Sequence, residues 1–390
     1  LKVKRPDLRL LSLGQDPGSQ DLCALADRQA ARPLVAPTLD GSELYRFSYT
    51  GGTTGKPKGV RSTHGYGGFA LMAQLAEWDW PEEVRMLICA PLSHIGAAMF
   101  LPTLIKGGSM IVMPGFDALA TLEAIEKYRI TCTLLVPTMI YALLDHPRFA
   151  EFDLSSLECV YYGASAMAPS RLKEGIEKLG PVFYQFYGQT EATQMVTALR
   201  RHEHKLDDPF RMASCGRPLP WVTVALLDDD GHEVPEGQPG EICVRGPVVM
   251  TGYHNRPEQT AEALKDGWLH TGDVAIRDRD GYLRIVDRKK DMIVTGGFNV
   301  FPREVEDVIS AHPGVAACAV IGVPDAHWGE AIKAVVVRRA GAEVDPAELI
   351  ALVREKKGGV QTPKTVDFLD AIPVTAIGKP DKKALRALYA

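Results

Sequence analysis

Along the first two thirds of the chain, short continuous apolar runs alternate with segments whose apolar residues recur at helical spacing. Runs of the first kind suit strands buried on both faces, and segments of the second kind suit helices that cover them. Residues 84–90, 109–113, 133–136, 157–162 and 182–186 read as strands. Residues 63–78, 116–128 and 137–144 read as helices, although Gly65, Gly67 and Gly68 weaken the first. This alternation predicts a parallel sheet covered by helices. Before residue 43 the chain is Pro-rich, with a short helix expected within 24–31. From 214 to 287 the pattern changes to short alternating strands (222–227, 240–245, 283–286) cut by DDDG, PEGQPG and RDRDG turns, which predicts a small β-rich subdomain. Beyond about 289 the chain starts afresh with a helix at 302–311, strands at 315–320 and 332–338, a helix at 346–356, a strand at 365–369 and a last helix from Asp381. The expected fold class is α/β: a large domain over 1–288, then a smaller α+β domain over 289–390.

Composition narrows the reading. A chain of 390 residues can bury a large core in two or more domains. Its net charge of −5, without a basic block, gives no reason to expect nucleic acid or an anionic membrane surface as a partner. No apolar run reaches the ~20 residues that span a bilayer. The seven cysteines (Cys23, Cys89, Cys132, Cys159, Cys215, Cys243 and Cys318) are dispersed and never in CxxC spacing. That usage argues for reduced thiols in a cytoplasmic setting and against a metal site.

The segment with the strongest chemical signal is YTGGTTGKPKGV, from Tyr49 to Val60. It follows the strand-like Leu44-Tyr45-Arg46-Phe47 and is too polar and glycine-rich for core. Glycines at 51, 52 and 55 let backbone N–H groups approach an anion, the hydroxyls of Thr50, Thr53 and Thr54 add donors, and Lys56 and Lys58 add charge. A phosphate loop is the chemical reading, and a solvated linker is the alternative. The GxxxxGK[ST] motif of nucleotide triphosphatases does not fit, because Pro57 follows Lys56.

The run does resemble, almost letter for letter, the phosphate loop of the adenylate-forming superfamily: acyl-CoA synthetases, luciferases and the adenylation domains of peptide synthetases. That family usually writes YTSGTTGxPKG, so Gly51 replaces a serine and one hydroxyl donor is lost. The resemblance extends over nearly the whole chain and implies a set of roles. His94, just past a strand end where α/β sheets bind ligands, would border the acyl pocket, although a capping or merely hydrogen-bonded histidine also fits. Gly163 and Ala164 would frame adenine. In YGQTEAT, Tyr187 would stack near adenine beside Gly188, Thr190 would bond an α-phosphate oxygen, and Glu191 would hold Mg²⁺. A helix N-cap with a first-turn acid is the plainer reading of that motif. In GWLHTGD, Asp273 would take both ribose hydroxyls, with Arg288 beside it on sugar or phosphate. Lys290 aligns with the family's hinge, and Gly296 and Gly297 with its pantetheine tunnel, although close strand packing could equally require those glycines. Lys379, in the Gly-Lys element before the last helix, would swing in to offset charge during adenylation, whereas Lys382 and Lys383 are expected to be surface residues. Gly252-Tyr253 also matches, without a chemical role.

The function so implied is ATP-dependent activation of a carboxylic acid to acyl-AMP, then transfer to coenzyme A by way of a mobile C-terminal domain. The apolar segment 95–101 suggests a fatty or aryl acid. Because the phosphate loop usually lies deeper in such chains, an N-terminal part of the family fold is expected to be missing. The lack of a carrier domain after Ala390 argues against a peptide-synthetase module. The partners expected are small molecules only: a carboxylate, ATP with Mg²⁺, and coenzyme A. The alternatives are a non-catalytic nucleotide-binding fragment and an adenylating enzyme with another acceptor.

Overall fold

Strands apolar on both faces have to be covered on both, and the strands Cys132–Leu135, Cys159–Tyr162 and Phe183–Tyr187 are buried at every residue. They form the centre of a seven-stranded sheet in the computed structural model, which describes residues 10–13, 18–30, 32, 35, 37–50, 57–375 and 380–389. From one edge the order is Arg217–Pro218, Thr197–Leu199, Phe183–Tyr187, Cys159–Tyr162, Cys132–Leu135, Arg85–Ile88 and Ser109–Val112. The last five strands are parallel, and the first two join antiparallel. One sheet face packs under Leu122, Ile125, Ile140, Leu143 and Leu172 of the helices Ala118–Lys127, Pro137–Leu144 and Pro169–Leu179. The other face shares a core with helix His64–Glu77 and with a five-stranded antiparallel sheet built from Thr223–Leu227, Gly240–Arg245, Leu264–Lys265, Trp268–Arg277 and Leu283–Arg288.

Residues Leu1–Asp40 form a unit of their own, containing a two-residue parallel strand pair and the helix Leu22–Ala26. That helix starts earlier than expected because the Asp21 carboxylate accepts from the N–H groups of Cys23 and Ala24 and fixes its beginning. A second difference concerns the phosphate-loop segment. Leu44–Thr50 and Lys58–Thr63 are antiparallel partners, with Thr50 opposite Lys58, so the end of the loop run is itself a strand, leading into the helix at His64 that was expected from 63. Exposed Arg61 alternates with buried Val60 and Ser62, which is the period of a strand and not of a helix entry.

The C-terminal portion has a separate core in which Ile293, Val305, Ile309, Val336, Leu349 and Val353 bring the helices Pro302–Ser310 and Pro346–Lys357 onto a five-stranded sheet. Charged contacts attach it to the rest. Arg339 reaches Asp145 at 3.0 Å and Glu174 at 3.2 Å, the two carboxylates that also flank the buried Arg171. The Arg303 backbone N–H donates to Asp287 Oδ2 at 3.0 Å. Lys382 is not the surface residue expected: its ammonium lies 2.9 Å from Glu306 and 3.8 Å from Asp287, with the side chain 17% exposed. Asp381, accepting from the Ala384 N–H, caps the helix Lys382–Leu388 at the point where Lys382 meets these carboxylates. Burial works against the Lys382 ammonium, but Glu306 and then Asp287 outweigh it and hold the group above its ordinary value.

Tyr162, the last residue of its strand, is held by His204. His204 Nδ1 donates to the Arg200 carbonyl at 2.9 Å, and its Nε2 lies 3.0 Å from the Tyr162 hydroxyl, whose one proton is shared between that nitrogen and Gln185 Oε1, also 3.0 Å away. Burial pushes the imidazole down to about 4 from 6.5. A depressed value gives a contribution that is complete above pH 6.5 and lost as pH falls through about 4. Stability measured by urea unfolding should therefore fall by about 3 kcal/mol more across that window in the native protein than in His204→Gln.

Candidate functional site

Because Arg85–Ile88, Cys132–Leu135, Cys159–Tyr162 and Phe183–Tyr187 run parallel, the segments that follow them leave the sheet at one edge, where such sheets bind ligands. His94, Gly163, Ala164, Gly188, Thr190 and Glu191 all lie in those segments. The chain is tightly constrained there. A Cβ on Gly163 would lie 2.4 Å from the Phe186 carbonyl oxygen, and one on Gly188 would lie 2.3 Å from that of Thr193. Ala164 sits at φ +66°, in the left-handed region that costs a side-chain-bearing residue strain. Gln189 donates its N–H to the Ala192 carbonyl at 2.7 Å and closes the turn that carries Thr190 and Glu191.

Asp273 comes from the other sheet. Glu241 and Cys243 face Val274 and His270, partners four residues apart, so Thr271-Gly272-Asp273 bulges out of that ladder, with Gly272 at φ +72°. On the opposite side Asp273 stays in register with Arg288. The Asp273 side chain is 7% exposed. It accepts from the Tyr187 hydroxyl at 2.7 Å and from Arg288 Nε at 3.0 Å. Burial, with Asp273 next, raises the Tyr187 phenol well above its ordinary value, so it stays a donor. Gln189 Nε2 reaches the Thr271 carbonyl at 3.3 Å, a second tie between the Glu191 turn and the bulge.

Glu191 is also buried, and its Oε1 accepts from the Tyr253 hydroxyl at 2.7 Å. Lys58 Nζ lies 4.1 Å from the centre of the Tyr253 ring, a cation–π contact. The pairing of Val60 with Tyr253 and the 2.7 Å bond from the His254 N–H to the Gly59 carbonyl bring these segments together. Glu191 Oε2 makes no hydrogen bond to another described residue, and the buried Thr50 hydroxyl has no partner among the described residues. An oxygen donor of this kind suits a hard divalent cation. Lys290 links the two groups: burial lowers its ammonium, Arg288 lowers it further, and both Asp273 and Lys58 act on it.

Thus Lys58, Tyr187, Glu191, Asp273, Arg288 and Lys290 meet in one region. Gly51, Gly52, Thr53, Thr54, Gly55 and Lys379 lie outside the described residues. His94 is exposed at the N-cap position of a short 3-10 turn, its side chain makes no capping bond, and no described contact joins it to the group. Gly296 and Gly297 form the two-residue turn of a hairpin, Ile293–Thr295 with Phe298–Val300, at φ +57° and +82°. A Cβ on Gly296 would also meet the Trp328 ring at 2.7 Å. The two glycines are therefore required by a tight turn and its packing, and Gly-Gly between strand-forming residues is the signal for such a turn. Tyr253 was left without a role by the sequence. Its contact with Glu191 is a tertiary one across 62 residues.

Residues 3–254 match the family model described as AMP-binding enzyme, and residues 304–379 match the AMP-binding enzyme C-terminal domain. The chain is 54% identical over 376 residues to the medium/long-chain-fatty-acid–CoA ligase FadD8 of Mycobacterium tuberculosis, covering 95% of this chain and 65% of that protein. It is 46% identical over 343 residues to a feruloyl-CoA synthase of an Amycolatopsis species, covering 87% of this chain and 69% of that one. The solved structure of the amide bond synthetase McbA from Marinactinospora thermotolerans superposes with a TM-score of 0.88 at 38% identity, over 98% of this chain and 75% of that one.

The contacts around Asp273 make a prediction that needs no ligand. Arg288→Leu leaves the buried carboxylate with Tyr187 alone and should cost about 1–2 kcal/mol in urea unfolding, of which Asp273→Asn in the same chain restores most.

Proposed function

The chain belongs to the AMP-binding enzyme family, and from that premise we propose that it activates a carboxylic acid with ATP and passes the acyl group to coenzyme A. A substrate carboxylate oxygen attacks the α-phosphorus of ATP, the bond to pyrophosphate breaks, and an acyl-AMP mixed anhydride forms. The thiol of coenzyme A then attacks the acyl carbon and AMP leaves. The observation that carries this reading is the convergence of Tyr187, Asp273 and Arg288 with Lys58, Tyr253 and Glu191.

In this reading Asp273 accepts the ribose hydroxyls, which its carboxylate can do in addition to Tyr187 and Arg288 because it offers about four lone-pair sites. Lys58 and Thr50 face the polyphosphate, and Gly163 and Ala164 offer flat backbone to the adenine. Glu191 holds Mg²⁺, which when bound neutralises phosphate charge. Lys379 supplies a mobile cation for adenylation, Lys290 is the hinge on which residues 289–390 turn, and Gly296-Gly297 passes the pantetheine arm. None of these groups is a covalent nucleophile, so rate enhancement comes from positioning and electrostatics. His94 borders the acid, which we take to be fatty or aryl, as the names of the mycobacterial and Amycolatopsis relatives suggest.

The similarity to an amide bond synthetase favours one alternative, an amine as acceptor in place of the thiol. The chain spans 65% of the mycobacterial ligase, so the assay is best made in a full-length context. Exchange of pyrophosphate into ATP should depend on an added carboxylic acid and stop when Mg²⁺ is chelated. Lys379→Ala should abolish exchange while thioester formation from supplied acyl-AMP largely survives. Exchange with no carboxylate of a graded series would reduce the chain to a nucleotide binder. Amide formation exceeding thioester formation would move it to the alternative acceptor.

A further inference from the structure

Behind the bulge that carries Asp273, on the face turned away from Tyr187, three metal-ligating side chains meet. Cys243 Sγ lies 3.4 Å from His270 Nδ1, and the same nitrogen lies 3.2 Å from Glu241 Oε2. All three ligand atoms lie within 4.8 Å of one another. The ladder produces this cluster, since Cys243 is the cross-strand partner of His270 and Glu241 is the next residue on the same face. Spacing along the sequence hides it, because Cys243 and His270 are 27 residues apart, so the dispersal of the cysteines does not exclude a metal here.

The geometry points to a binding site for one zinc-like divalent cation held by Glu241, Cys243 and His270. Bond lengths of about 2.0–2.3 Å around a tetrahedral ion place its ligand atoms roughly 3.3–3.6 Å apart, and the two separations from His270, 3.4 and 3.2 Å, are at that range. Sulfur and imidazole nitrogen select a borderline-soft ion over Mg²⁺, so this site and Glu191 would not compete for the same metal. Glu241 is already oriented as a ligand, because its Oε1 accepts the Gly272 N–H at 2.9 Å and Oε2 is left to face the ion. Burial and then the charge of Glu241 push the Cys243 thiol up to about 12, and coordination reverses that by releasing the Sγ proton to solvent. Neutral imidazole, thiolate and carboxylate then balance the double charge of the ion. Lys289, 3.6 Å from Glu241 Oε2, gives up that contact and keeps Asp229. None of this depends on the carboxylate-activating reading.

The test uses metal-stripped protein with a non-thiol reductant, titrated with Co²⁺. A near-ultraviolet thiolate-to-cobalt charge-transfer band should grow to saturation at one equivalent and be displaced by Zn²⁺. Cys243→Ser should remove the band, and Glu241→Gln should weaken binding at least as much as the roughly 10–100-fold loss typical of an outer-shell partner. Should a variant fail to fold, X-ray absorption of the native protein loaded with one equivalent of Zn²⁺ decides instead: the metal must show a sulfur neighbour at about 2.3 Å beside nitrogen or oxygen neighbours at about 2.0–2.2 Å. No band at stoichiometric Co²⁺, a band unchanged in Cys243→Ser, or a zinc neighbour shell without sulfur would overturn the site.

Discussion

A buried carboxylate is costly unless its charge is met by donors, and Asp273 is met by donors from two separate sheets. Tyr187 ends a strand of the large parallel sheet, whereas Arg288 ends a strand of the antiparallel one. The two sheets already share an apolar core, but apolar contact is non-directional and sets neither the angle nor the register between them. A charge-assisted hydrogen bond does set direction. The pair of bonds on Asp273 therefore fixes where the bulge lies against the parallel-sheet edge, and every other group of the candidate site is placed relative to that edge.

The second tie follows the same logic with different chemistry. Glu191 is buried beside the Tyr253 hydroxyl, and the Tyr253 ring lies beneath the Lys58 ammonium. One aromatic residue thus holds an anion at its polar tip and a cation at its face, which keeps the two charges ordered without letting them neutralise each other directly. Lys58, Arg288 and Lys290 lie close enough that Lys290 feels the repulsion. Positive charge gathered at the carboxyl edge of a parallel sheet is an arrangement a polyphosphate relieves.

Much of this was legible in the sequence, for identifiable reasons. The strands at 132–135, 159–162 and 183–187 are largely apolar on both faces, the pattern of strands in a covered parallel sheet, and their short length sets them apart from buried helices. Glu191, Asp273 and Lys58 stand in local motifs that keep their spacing whatever surrounds them. What was not legible depended on contacts between distant segments. Nothing near Tyr253 says that its hydroxyl meets Glu191, and nothing near Lys382 says that Asp287 of the antiparallel sheet and Glu306 of the C-terminal portion both wait for it. The strand at Lys58–Thr63 was missed because glycine, serine and threonine hide its alternation, and its pairing with Leu44–Thr50 is what orders it.

The central claim is that motifs from distant parts of the chain serve one nucleotide. A crystal structure with a bound, non-hydrolysable acyl-AMP analogue tests it most directly. The account predicts ribose hydroxyls within hydrogen-bonding distance of the Asp273 carboxylate, adenine against Gly163 and Ala164, and the phosphate on the side of Lys58 and Thr190. A nucleotide bound elsewhere, with Asp273 contacted only by Tyr187 and Arg288, would contradict it.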